Sequence, residues 1–281
     1  VTFKDELQAS NNPEYAIKKF NDKVWRNHDN MAWVDPYDKR AQNYAISIAE
    51  EAAKVGFDEI NFDYVRFPTD WKITEAYYPF SNKTISKDNT WWKIQVLDSF
   101  WEYLHKNIKE YNPDIILSAD VFWLVTNTDL FQIWQNLESF LLYFDYVGPM
   151  IYPSHYWAGF LWYKQPDNHP YEIFEYALSA ANKRIDTLNT EIKSAKTEER
   201  NISIKWKFNA KKSNISELEE IKYTKIRPWL QGFSCTRCAW ATRYNTAKFR
   251  KQIQAIHDAN MNSWFVWSAW SNYYPEWYNK K

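Results

Sequence analysis

The chain has 281 residues with 35 basic and 35 acidic side chains, so its formal net charge is zero, where a nucleic-acid or anionic-membrane binder would carry a basic surplus. No run approaches the ~18 apolar residues of a membrane span, and the opening VTFKDELQAS is not a signal peptide. With 45% hydrophobic and 19% aromatic residues the chain is expected to fold around a sizeable core rather than stay disordered, and its only glycines, Gly56, Gly148, Gly159 and Gly232, are expected where the backbone requires them.

The first apolar run, VTF at 1–3, reads as a strand that starts without a run-up, and it predicts two βα units upstream of Val1 or overlooked here. Ala41, Ala45, Ile48, Ala49 and Ala52 recur at helical spacing and predict a helix over 37–55, opened by Asp35 as N-cap and Pro36 at the first turn and closed by Gly56. EINFDYVRF (59–67) reads as a buried strand. Trp92, Val96, Leu97, Phe100, Trp101, Leu104 and Ile108 then mark one broad face of a helix over 90–110. DIILSADVF (114–122) and YVGPMIY (146–152) are further strands, separated by a helical pattern at 129–143. A helix is expected over 171–192. The charged, weakly patterned residues 193–224 read as a surface insertion. KIRPWLQGF (225–233), a helix over 246–259 and SWFVWSA (263–269) complete the series.

Strands alternating with helices of this length mean parallel βα units. A nucleotide-binding open sheet would need a phosphate-cradling glycine turn, and no GxGxxG or GxxxxGK[ST] is present. Polar residues instead gather at the C-terminal ends of strands, where barrels build active sites: Asp63, Arg66, Asp120, Tyr152, His155, Gln231 and Ser268. The reading is an α/β fold of the (β/α)8 TIM-barrel type, with about six units recognisable in a single domain over 1–281.

Asp63 lies in a run of aromatic and aliphatic residues with Arg66 close behind, and an ionised carboxylate there is costly unless paired or used. Asp120 in ILSADVFW has the same placement. Two carboxyl groups on neighbouring strands are what glycoside cleavage requires, one protonating the leaving oxygen and the other serving as nucleophile or base. Arg66 favours an ionised Asp63 as nucleophile or base, which leaves Asp120 as the acid. Tyr152 and His155 offer hydrogen bonds to sugar hydroxyls. Arg227, Trp229 and Gln231 would alternate toward a lumen, and Trp267 adds a stacking face. Cys235 and Cys238 form a lone CxxC, read as a local disulfide or two plain thiols. No HExxH, EF-hand loop or Cys/His cluster points to a metal, and no cofactor is expected.

The segments VTFKD, WVDPY, GFDEINFDYVRFPTD, SADVF, VGPMIYPSHY, RPWLQGF and FVWSAWSNYY, in that order, resemble a glycoside-hydrolase-like domain family of bacterial envelope proteins. The resemblance spans nearly the whole chain except 185–224. It implies a TIM barrel with VTFKD as its third strand, a carbohydrate-active role, and Asp63 and Asp120 as the strand-end acids. The chain departs from the family's usual pattern at Gly232, where Asp is usual, and at Ser268, where Asn follows the Trp. Expected, then, is a glycoside hydrolase acting on a polysaccharide or cell-envelope glycan, outside the cell or at its surface. The alternative is a silent barrel that binds glycans through an aromatic groove.

Overall fold

The computed structural model describes residues 3–69, 72–80, 83–84, 91–128, 133–204, 208–210, 218–238 and 242–278. In chain order the elements are α1 (Glu6–Asn11), α2 (Lys39–Lys54), β1 (Glu59–Phe62), β2 (Tyr77–Tyr78), β3 (Lys83–Thr84), α3 (Trp91–Tyr111), β4 (Ile116–Phe122), α4 (Leu137–Tyr143), β5 (Tyr146–Met150), α5 (Pro170–Thr197), β6 (Ile202–Ile204), β7 (Phe208–Ala210), β8 (Trp229–Gln231), α6 (Thr246–Asp258), β9 (Phe265–Trp267) and α7 (Pro275–Tyr278). The result is a mixed α/β fold in two compact units. The first comprises Val1–Asp120 and Asp129–Asp145, the second Val121–Thr128 and Tyr146–Lys281. Among the described residues no helix is long and apolar enough to cross a membrane.

In the first unit β1 and β4 pair in parallel, with Glu59 opposite Ile116 and Phe62 opposite Ala119. Helix α2 buries Ala41, Ala45, Ile46 and Ala49 along one stripe, which small side chains at i, i+4 spacing allow to lie close to its neighbours. It ends as the sequence predicts: Val55 is the C-cap, and Gly56 takes φ +101°, a conformation other residues adopt only under strain. Its start differs from expectation. The N-cap is Asp38, whose carboxylate accepts from the Arg40 N–H at 2.9 Å, not Asp35. Asp35 is fully buried and accepts from the backbone N–H of Tyr37 and of Phe80. The Asp-Pro pair opens a turn three residues ahead of the helix.

A chain of rings runs through this unit: Phe3 on Phe100 (5.2 Å), Phe100 on Trp101 (5.0 Å), Trp101 on Phe140 and Phe144 (5.0 and 5.3 Å), and Phe144 on Phe62 of β1 (6.0 Å). Each contact adds ~0.5–1.5 kcal/mol to the area buried. The strand expected at VTF does not form at Phe3, and Val1 and Thr2 lie outside the described residues. Of the helix expected at 129–143, residues 129–132 lie outside the described residues; among the described ones it is α4, ahead of which Trp134 has φ +65° and Asn136 is the N-cap, accepting from the Ser139 N–H.

In the second unit the long helix α5 packs on α6, and Ile173, Phe174, Leu178, Ile185, Phe249 and Ile256 are buried. It runs to Thr197, into the stretch read from sequence as insertion, and the antiparallel β6–β7 hairpin follows. Residues 205–207 and 211–217 of that stretch lie outside the described ones. Strands β8 and β9 pair in parallel, Trp229 opposite Phe265 and Gln231 opposite Trp267, and Val147 of β5 forms a parallel bridge with Ile226 just ahead of β8. Both β8 and β9 are shorter than the apolar runs that announced them.

Candidate active site

Alternation along β1 sorts its side chains. Ile60 and Phe62 are buried, Phe62 against Phe144, while Asn61 points to the other face. On β4 the partners on that face are Ser118 and Asp120: the Asn61 amide donates to Ser118 Oγ at 3.0 Å and to Asp120 Oδ1 at 3.2 Å. The paired register of β1 and β4 ends with Phe62 opposite Ala119; Asp120 is the next residue of β4, and Asp63 follows directly on the last residue of β1. The first unit therefore brings its two sequence-predicted acids to one strand end. Asn61 and Ser118 were not singled out from sequence, although the period-two polar pattern Asn61–Asp63 and Ser118–Asp120 inside apolar runs carries the signal.

Asp120 is 6% exposed, and its carbonyl accepts from Gln135 Nε2. Asp63 Oδ1 accepts from the backbone N–H of Tyr64 at 2.7 Å, and Tyr64 holds φ +53°. A bulky residue there is strained by about 1–2 kcal/mol, so the turn that presents Asp63 is maintained at a cost.

Burial pushes the Asp63 carboxyl pKa up, and the Tyr64 N–H and the Arg66 charge only partly offset it. Arg66 favours the ionised form as the sequence suggests, but burial outweighs it. The Arg66 guanidinium is drawn elsewhere: Nη1 donates to the Phe67 carbonyl at 3.1 Å, and the group lies 5.6 Å from the Trp33 ring and 5.3 Å from that of Tyr64. A carboxyl that keeps its proton to higher pH suits a general acid.

The second unit carries the remaining predicted residues. Tyr152 is buried and meets the rings of His155 (5.2 Å) and Phe233 (5.6 Å) edge-on. His155 is exposed on its short turn, yet the protein atoms crowding its imidazole push its pKa down, opposed by the Asp167 charge, and so favour the neutral ring. Arg227 stacks on Tyr146 at 3.5 Å, Trp229 stacks on Phe265 at 4.6 Å, and Trp267 meets Trp229 edge-on at 6.3 Å with half of its own surface in solvent.

Gln231 does not face a lumen. It is wholly buried, and its amide is committed: Oε1 accepts from the Ser154 N–H (2.9 Å), and Nε2 donates to Asp167 Oδ1 (3.1 Å) and the Phe233 carbonyl (2.9 Å). Its backbone exchanges two further bonds with the Gln252 amide. Gln231 is a brace, and any effect it has on a ligand passes through the turns it ties.

Gly232 follows directly. A Cβ there would stand 2.8 Å from both the Trp267 carbonyl oxygen and Val266 Cγ1, because the Gly232 N–H bonds that same carbonyl. The absence of a side chain lets the turn after β8 press against β9. Cys235 and Cys238 form a disulfide on that turn, and Ser268 accepts from the Asn272 N–H. Among the described residues no group of three or more His, Cys, Asp or Glu could hold a metal ion.

Among solved structures, a hypothetical protein from Ruminiclostridium thermocellum is 38% identical across 43% of this chain and 55% of its own, with a TM-score of 0.34. The PgaB (BpsB) glycoside hydrolase domain from Bordetella bronchiseptica has a TM-score of 0.51 at 14% identity, covering 87% of this chain and 61% of that one. The spore cortex-lytic enzyme SleL from Bacillus cereus has a TM-score of 0.50 at 11% identity, covering 86% and 53%. The last two share the fold of this chain, which spans only about half to three-fifths of the length of all three. No curated protein matches it. The family model described as "Putative glycosyl hydrolase domain" matches residues 1–198 and 192–273, and the chain belongs to that family.

Proposed function

We propose that the protein is a glycoside hydrolase of (β/α)8-barrel type that cleaves a polysaccharide or cell-envelope glycan outside the cell or at its surface. What supports this reading is the placement of the two acids at the same end of paired parallel strands, Asp63 directly after β1 and Asp120 on β4 beside the Asn61 amide. Asp63, with its raised pKa, donates its proton to the glycosidic oxygen as the bond to the anomeric carbon breaks. Asp120, oriented by the Asn61 amide, attacks that carbon or takes a proton from the attacking water. Water supplies the hydroxyl of the new reducing end, and Asp63 recovers its proton by the close of the cycle. Tyr152, His155, Arg227, Trp229 and Trp267 are assigned to carbohydrate contact, Arg66 to tempering the charge at Asp63, and Gln231 to bracing.

The test is turnover on a panel of bacterial envelope and plant glycans, read as released reducing ends, for the parent protein, Asp63→Asn and Asp120→Asn. A parent that cleaves and two variants slowed at least a hundredfold support the assignment. Equal cleavage by parent and variants removes the pair from the mechanism. Ligand-induced tryptophan fluorescence changes with no reducing ends from any substrate would favour the silent glycan-binding barrel instead.

A further inference from the structure

The second unit holds a cavity of about 620 Å³ at the C-terminal ends of β8 and β9, walled in part by Phe233, Arg243, Trp270, Asn272, Tyr274 and Glu276. The volume falls within the ~300–1,000 Å³ of small-molecule sites. We infer that this cavity binds a pyranose ring, stacked on Trp270 and Tyr274 and gripped through its hydroxyls by Arg243, Asn272 and Glu276. The ligand class rests on the carbohydrate reading above, but the site itself needs neither Asp63 nor Asp120.

Three observations carry it. The first is exposure: Trp270 is 79% and Tyr274 44% exposed, so each presents ring surface to the solvent. An indole that far out of the core contributes little to folding and much to a flat apolar partner.

The second is unspent polarity. Among the described residues the side chains of Thr236, Arg243, Asn272 and Glu276 carry no hydrogen bond or ion pair, although all four line the cavity. Arg243 only donates, the Glu276 carboxylate only accepts, and the Asn272 amide does both. Sugar hydroxyls donate and accept, and so can serve all three together. A purely apolar ligand would strip water from these groups at ~1–3 kcal/mol each. A phosphate would meet the Glu276 carboxylate as well as Arg243.

The third is preorganisation. The Cys235–Cys238 disulfide closes the rim turn that carries Ser234 and Thr236. Ser234 Oγ accepts from the Tyr244 N–H at 2.9 Å, Ser268 Oγ accepts from the Asn272 N–H at 3.1 Å, and the Gly232 N–H ties this turn to the Trp267 carbonyl at 2.8 Å. The backbone of the rim is therefore tied at these points before any ligand arrives, which lowers the entropy cost of binding.

The experiment titrates the Asp63→Asn/Asp120→Asn double variant, in which ligand is not consumed, with hexamers of glucose (β-1,4), xylose, N-acetylglucosamine and galacturonic acid. Calorimetry and tryptophan fluorescence provide the readouts. At least one hexamer is expected to saturate the protein. Adding Trp270→Ala is expected to weaken that binding at least tenfold, and Arg243→Ala or Glu276→Gln severalfold, with unfolding midpoints unchanged because all three side chains are at the surface. Reduction of Cys235–Cys238 is expected to weaken binding as well.

The inference is overturned if no hexamer binds saturably, or if the Trp270→Ala variant binds as tightly as its parent. The two readings fail separately. Cleavage by the parent protein with a KM that Trp270→Ala leaves unmoved sinks the cavity and spares the hydrolase. Saturable, Trp270-dependent binding without cleavage of any glycan does the reverse.

Discussion

Replacing Gln231 by methionine keeps the side-chain volume and deletes the amide. Three bonds disappear, those to the Ser154 N–H, the Asp167 carboxylate and the Phe233 carbonyl. The residue is wholly buried, so water cannot replace them. An orphaned buried donor or acceptor costs ~1–3 kcal/mol. The Ser154 N–H and the Phe233 carbonyl fall in that class. Asp167 suffers less, since its other oxygen keeps the N–H and hydroxyl of Thr242. The expected loss is therefore about 3–5 kcal/mol, a large share of the ~5–15 kcal/mol that holds a typical domain. Urea unfolding followed by far-UV circular dichroism measures it, provided that the slope with denaturant is unchanged. The variant should also bind glycan more weakly, because the turns carrying His155 and Phe233 both hang from this amide. A loss below about 1 kcal/mol would refute the account of Gln231 as a brace, and would mean that these turns are held by other contacts.

Three further outcomes are expected. Burial raises the Asp98 pKa to about 6, only partly offset by the hydrogen bond from Ser139 Oγ. The folded protein thus keeps a proton that the unfolded chain releases from about pH 4, and stability falls as pH rises from about 4 to 6; Asp98→Asn should flatten that fall and stabilise the protein at pH 7 by about 2 kcal/mol, read from unfolding midpoints across pH. Gly232→Ala sets a methyl 2.8 Å from the Trp267 carbonyl, and should cost ~1–3 kcal/mol by the same measurement. Asn61→Ala should slow kcat about tenfold to a hundredfold with KM little changed, by freeing the Asp120 carboxylate, and it should displace the limb of the pH–rate profile that Asp120 governs.

The parallel βα grammar was legible because it depends on period and length: α3, α5 and α6 lie close to where apolar spacing put them. Asp63 and Asp120 stood out for a related reason, since a carboxylate at the end of an apolar run is rare, and the strands read there from sequence are β1 and β4. What escaped was set by contacts distant in sequence. Asp35 looks like an N-cap from its neighbours alone, yet its partner is the Phe80 N–H, 45 residues away. Gln231 has the parity of a lumen residue, but Ser154, Asp167 and Gln252 claim every polar group it owns. Gly232 stands out in the sequence only as a departure from the usual residue, and its reason lies 35 residues away, where the Trp267 carbonyl and Val266 occupy the space of the missing side chain.

The aromatic composition can also be divided by energy. Trp25, Trp33 and Trp101 are fully buried and hold the first unit together. The segment after β9 does the opposite: Trp267, Trp270, Tyr273, Tyr274 and Tyr278 are all at least 40% exposed within twelve residues. Rings placed so contribute little burial to folding, and clustering them raises the risk of aggregation. Yet the turn beside them is cross-linked by Cys235–Cys238 and packed so closely that only glycine fits at 232. Rigid support beneath an exposed aromatic cluster has no use in stability alone. It has one if the cluster must meet a flat, hydroxylated partner in a fixed geometry, and that is the demand a glycan makes.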